Sequence, residues 1–261
     1  MRFLLPFIFI VGTYLSKEVD NDLSSMKDEK HGIKMGEVYE GCDDAETDLE
    51  IDWDASPVSY TCYHPKFPYP INNKIKSEES CIELPSNYYV RIFILYENAE
   101  MSFAQPQHYC MFDKITYNTS IPTYGNHRPL WPVYGEYRYV PPQRWLHNIE
   151  HGAVVMLYHP CAHPEMVDKL RKIVVKCIRK HVITASRNLP MERPLALVTW
   201  GCKMLMNTVD KHKIIPFIKR TALHGPEGNY SAEGQYMKFL VNPASIPVGS
   251  DINDSVLCPN L

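Results

Sequence analysis

Gly152-Ala-Val-Val-Met-Leu-Tyr158, Pro164-Glu165 and Pro194-Leu-Ala-Leu-Val-Thr-Trp-Gly201 alternate apolar runs with breakers across fifty residues. The first block is a short continuous apolar run, the pattern of a strand buried on both faces. Pro164 suits the first turn of a helix, and Glu165 sits at the end where the helix dipole favours a negative charge. Met166, Leu170, Ile173, Val174, Cys177 and Ile178 recur at spacings of three and four, so they share one apolar face. Lys169, Lys172, Lys176, Arg179 and Lys180 fill the other face and the last turns, and His181 reads as one more favourable charge at the helix end. Residues 194–201 form a second buried strand between breakers. Strand, helix and strand at these lengths predict a βαβ-like unit in the C-terminal half of a single α+β domain. A further helix is expected after Asp210, with Pro216 marking its first turn, and the last thirty or so residues read as coil.

Working outward, residues 56–150 are rich in Pro and Tyr. Tyr88-Tyr-Val-Arg-Ile-Phe-Ile-Leu-Tyr96 is the best strand there, being aromatic and β-branched. Pro122, Pro129, Pro132, Pro141 and Pro142 punctuate a long irregular stretch whose tyrosines and tryptophan argue against disorder. Residues 17–55 carry fourteen Asp/Glu against four Lys, a net charge of −10, which leaves residues 56–261 at +6. The acidic segment has few large apolar residues and no period, so it is expected to be a disordered or loosely tethered arm, with docking onto the basic body or onto a cationic partner as the alternatives. Nucleic acid is not an expected partner, because no basic patch is interleaved with aromatics.

Met1-Arg2 followed by Phe3–Val11 and small residues is the pattern of a secretory signal peptide, cleaved near Ser16. No later stretch is apolar enough to span a bilayer. The eight cysteines then read as disulfides of an oxidising compartment, with no C-x-x-C pair and 105 possible pairings. Sequons at Asn118, Asn229 and Asn253 fit glycans on a secreted or luminal protein. The expected layout is signal 1–16, acidic arm 17–55, α+β domain 56–250 and tail 251–261.

One box can carry chemistry. In Pro141-Pro-Gln-Arg-Trp-Leu-His147-Asn-Ile-Glu150-His151-Gly152, the prolines can open a helical turn and the glycine can close it. His147 and His151 then stand four residues apart on one face beside Glu150. Two imidazoles at that spacing can share a metal ion, with Zn or Cu favoured, and a carboxylate can join them as ligand, orienter or base. His127 and His108 can each supply a further ligand. The letters also fit H-x-x-E-H, the signature of inverted zinc metallopeptidases, with Glu227 as a downstream acid. Against that, Gly152 and the strand behind it would end the helix at once. The competing reading is structural: hydrogen-bonded histidines that fix the entry into the strand at Ala153.

The order His108, Tyr117, Ile121-Pro-Thr-Tyr-Gly-Asn-His127, Gly135-Glu-Tyr137, Trp145-Leu-His-Asn-Ile-Glu-His-Gly152 and Thr199-Trp-Gly201 resembles the family called domain of unknown function 3105, over roughly residues 100–225. The resemblance implies membership and little chemistry, although it directs attention to His108, His127, His147, Glu150 and His151, which fall in the family's own boxes. Three functions remain open from the sequence. The first is a luminal glycoprotein domain that holds a metal or small ligand at those five residues and acts through an unidentified protein or small-molecule partner. The second is a metal-dependent hydrolase with Glu150 as general base. The third is an interaction module without metal.

Overall fold

A computed structural model describes residues 25–28, 31–82, 105–228 and 230–261 of the chain. The signal-peptide segment, the Tyr88–Tyr96 run and the Asn229 sequon lie outside the described residues. The elements in chain order are β1 (Lys27–Asp28), β2 (Gly32–Ile33), β3 (Glu78–Cys81), β4 (Gly135–Tyr137), α1 (Pro142–Glu150), β5 (Val154–Tyr158), α2 (Pro164–Cys177), β6 (His181–Ala185), β7 (Leu195–Thr199), β8 (Cys202–Met206), α3 (Lys211–Thr221) and β9 (Leu240–Pro243). Strands β3 to β9 form one mixed sheet in the order β3-β8-β7-β5-β6-β4-β9. The architecture is a single α+β domain.

The βαβ unit exists, but its second strand differs from the expected one. β5 pairs in parallel with β6, a five-residue strand that follows α2 after three intervening residues. The 195–199 strand lies on the other side of β5 and is antiparallel to it. His181 therefore opens a buried strand and does not cap a helix; its Nδ1 is 2.7 Å from the Ile178 carbonyl. The β-branched run Val182-Ile183-Thr184 was the available signal, masked by the basic residues before it. α3 begins at its Asp210 cap, which accepts from the His212 N–H, and Pro216 lies inside the helix, beyond its first turn.

Strand alternation divides the apolar runs between two cores. Val154, Met156, Ile183, Leu195 and Leu197 face α2 and α3, where Leu170, Val174, Phe217 and Ile218 cover them. Val155, Leu157, Val182, Ala196 and Val198 face the opposite side, where they meet Trp145, Leu146 and Ile149 of α1 with Leu130, Tyr137 and Tyr236. β5 reads as continuously apolar because it is central and covered on both faces.

Four disulfides close the fold: Cys42–Cys110, Cys62–Cys161, Cys81–Cys202 and Cys177–Cys258. The first ties the acidic segment to the body. That segment is also held by charge: Asp43 accepts two hydrogen bonds from Arg144 at 2.6 and 2.8 Å. Asp52 accepts from Arg128 at 2.9 and 2.5 Å. Both arginines are fully buried. Burying a guanidinium is costly unless it is paired, so the arm supplies the counter-charges that let the basic body close. From residue 31 onward, docking replaces the expected disorder. The tail is similarly engaged, since Asp254 accepts from the Arg179 and Lys180 backbone N–H groups.

Candidate metal centre

Three extended segments and one helix build the site. His108 forms parallel bridges with Gly32 and His127, so segments around residues 32, 108 and 127 lie side by side. The ladder continues to α1, where the Arg128 N–H donates to the Gln143 carbonyl at 2.8 Å. Two prolines open α1 and its interior is buried from Arg144 to Glu150. The helix stops at Gly152, whose φ of +83° and 2.7 Å approach between a would-be Cβ and Leu223 Cα exclude other residues without strain. His147 and Glu150 thus sit on the last turn, facing the ladder that carries His108 and His127.

The tautomers are set by backbone carbonyls. His108 Nδ1 lies 2.8 Å from the Ile33 oxygen, His127 Nδ1 2.8 Å from the Gly125 oxygen, and His147 Nδ1 2.7 Å from the Arg128 oxygen. A carbonyl only accepts, so each Nδ1 carries the proton and donates it. In the neutral ring each Nε2 then holds a lone pair. All three Nε2 atoms are buried without a hydrogen bond. Ligand atoms of His108, His127, His147 and Glu150 lie within 4.8 Å of one another. His127 Nε2 is 2.8 Å from Glu150 Oε2. His108 Nε2 is 3.8 Å from the same oxygen. This buried His/Glu group can hold a metal ion.

Electrostatics agree with the geometry. Burial holds the His147 imidazole well below its ordinary pKa, and neighbouring histidines push it further down. Burial also lowers His108, although Glu150 opposes it. For His127 burial acts downward but the Glu150 carboxylate outweighs it, so its affinity for a proton rises. Burial would raise Glu150, but the His127 and His108 rings hold it below the usual carboxylate range. The group is therefore one anionic carboxylate among rings that resist protonation at two of three positions, a setting that suits a cation.

Of the five site residues singled out from sequence, four gather here and the fifth stands aside. His151 caps α1 beyond its last turn, and its Nε2 is 2.8 Å from Glu227 Oε2. His147, His151 and Glu227 form a second group with ligand atoms within 4.8 Å. Glu227 arrives because the 224–228 loop presses on the end of α1, where a side chain at Gly225 would collide with the Glu150 carbonyl. Its other oxygen is 3.3 Å from His31 Nε2. His31, Asp43 and Asp52 were not legible as parts of the site, because each acts through a partner more than seventy residues away. Of the sequons, Asn118 and Asn253 are exposed.

Among the described residues no helix is long and apolar enough to cross a membrane. No solved structure matches the chain. Tumor protein p53-inducible protein 13 of Rattus norvegicus is 28% identical over 94 residues, 35% of this chain. The match spans 24% of that relative's length. Over residues 108–234, the span that holds every ligand of the four-residue group, the chain matches the family model described as Protein of unknown function (DUF3105).

Proposed function

We propose that this domain is a metal-binding module of the secretory lumen or extracellular space, in which His108, His127, His147 and Glu150 hold one divalent transition ion. The observation that carries the reading is the convergence of three buried Nε2 atoms, each with its Nδ1 proton committed to a carbonyl, on one carboxylate. Without a cation, the buried Nε2 lone pairs of His108 and His147, whose rings stack 4.7 Å apart, have no hydrogen-bond donor. Imidazole with one carboxylate suits zinc, and copper is the other ion whose preferences these ligands meet.

The reading is structural and not catalytic. A catalytic zinc keeps an open coordination position, whereas a structural one has four protein ligands. Four are available here, and their side chains are between 0 and 2% exposed. Glu150 is one of them, which removes it from the role of a general base acting on solvent water. The ion would pin the 108 and 127 segments to α1, as the Cys42–Cys110 disulfide and the arginine–aspartate pairs tie the arm nearby. Four disulfides and the exposed sequons at Asn118 and Asn253 support the luminal setting. Such a module acts through a protein or small-molecule partner.

The test is elemental mass spectrometry on the chain expressed through a secretory pathway, purified without a histidine tag or chelator. About one zinc or copper per chain is expected, with loss in a His127→Ala variant that keeps its disulfides and near-ultraviolet circular dichroism. No metal in the wild type after reconstitution with both ions would refute the reading.

A further inference from the structure

The four-residue group is sealed, so an ion must reach it through other side chains. The second group, His147, His151 and Glu227, adjoins it and shares His147. It is also the less enclosed of the two: the Glu227 side chain is 10% exposed, and His31 on its far oxygen 17%.

Sharing His147 has a chemical consequence. Its Nδ1 already donates to the Arg128 carbonyl, which leaves only Nε2 to bind an ion. One imidazole nitrogen serves one ion at a time, so the two groups cannot both use His147. They are alternative positions for a single ion, with His147 common to both. The outer group also contains an unmet polar requirement. His151 is fully buried, and while its Nε2 contacts Glu227, its Nδ1 has no hydrogen-bond partner. A buried polar atom left in this state is destabilising and is unexplained by a purely structural role for the ring.

Resting on the metal-binding reading of the inner group, we infer that His151 and Glu227 form a transient outer station through which a divalent transition ion enters and leaves, with His147 passing it to His108, His127 and Glu150. Glu227, the partly exposed anion, meets the hydrated ion first and replaces water. His151 and His147 then replace further water, so the ion is never stripped of all its ligands at once. Stepwise exchange avoids the large cost of placing a bare ion in a low-dielectric interior. Loss of Glu227 or His151 would therefore alter rates of exchange and leave the resident coordination intact.

The experiment loads the metal-free, disulfide-intact chain with cobalt(II) and follows the visible absorption of the bound ion in time. Removal is followed in parallel with excess chelator. Glu227→Gln preserves the size of the side chain and a contact to His151 while removing the charge, and His151→Phe provides a second, independent variant. Both are expected to reach the wild-type cobalt stoichiometry and final spectrum, but to load and unload more slowly, on the order of tenfold, the size that groups next to metal ligands carry. His127→Ala should lose the spectrum itself. Wild-type loading and unloading rates in Glu227→Gln and His151→Phe, with normal cobalt content, overturn this inference and leave the inner site standing. A changed final spectrum or lost stoichiometry in Glu227→Gln also overturns it, by making Glu227 a resident ligand. Failure of the wild-type chain to bind cobalt or zinc overturns the metal reading and this inference together.

Discussion

On one face of the sheet, Leu170, Val174, Phe217 and Ile218 close over Met156, Ile183 and Leu197. On the other face, Trp145, Leu146 and Ile149 share the interior with two buried arginines, four histidines and Glu150. The first face forms regular helices whose apolar periodicity is written in the sequence. The second is mostly Pro- and Tyr-rich coil around one nine-residue helix. The contrast shows two ways of closing a core. Apolar burial suffices where helices can present a stripe, whereas irregular backbone brings polar groups inside and each of them needs a specific partner. That need explains why the histidine face draws in an acidic arm and a disulfide, and why an ion there would act as one more closure.

Four substitutions probe the two faces separately. Phe217→Ala empties the centre of the helical face and should cost about 4 kcal/mol, within the range for buried aromatics, read from denaturant unfolding; metal content per folded chain should stay the same. A parallel fall in metal content would mean that the two faces are not independent. Asp43→Ala leaves the Arg144 guanidinium buried without its carboxylate, and about 3 kcal/mol of destabilisation is expected. Here metal retention should fall as well, because Arg144 lies on α1 one turn before His147; unchanged chelator extraction would separate the arm from the site. Ile183→Val removes one methyl group on the helical face and should cost about 1 kcal/mol, with no effect on metal. Lys169→Ala cuts an exposed pair with Glu165 one turn away and should leave the thermal midpoint in place. A clear drop there would mean that the helical face depends on surface charge more than its buried side chains suggest.

Legibility in the sequence followed the same division. The β5 run, the α2 stripe and the β7 run were readable because strand and helix periodicity are local properties. β6 was lost because it is five residues long and begins at His181, directly after a cluster of basic residues that suits a helix end. On the other face, the Pro141–Gly152 box announced its helix through its breakers, and His147 and Glu150 stood out by spacing. Gathering His108 and His127 with them depended on a ladder between segments nearly twenty residues apart, which no period reports. The docking of residues 31–55 was hidden more deeply. Fourteen acidic residues over 17–55 read as a solvated tail, and only the positions of Arg128 and Arg144 reveal that two of those acids are buried counter-ions.

X-ray absorption spectroscopy on the zinc-loaded chain reads the ligand shell itself. A four-coordinate shell of three imidazole nitrogens and one carboxylate oxygen is expected at about 2.0–2.2 Å, and any zinc that His108→Ala still holds should show one imidazole fewer. A shell dominated by water oxygens, or one unchanged in His108→Ala, would contradict it.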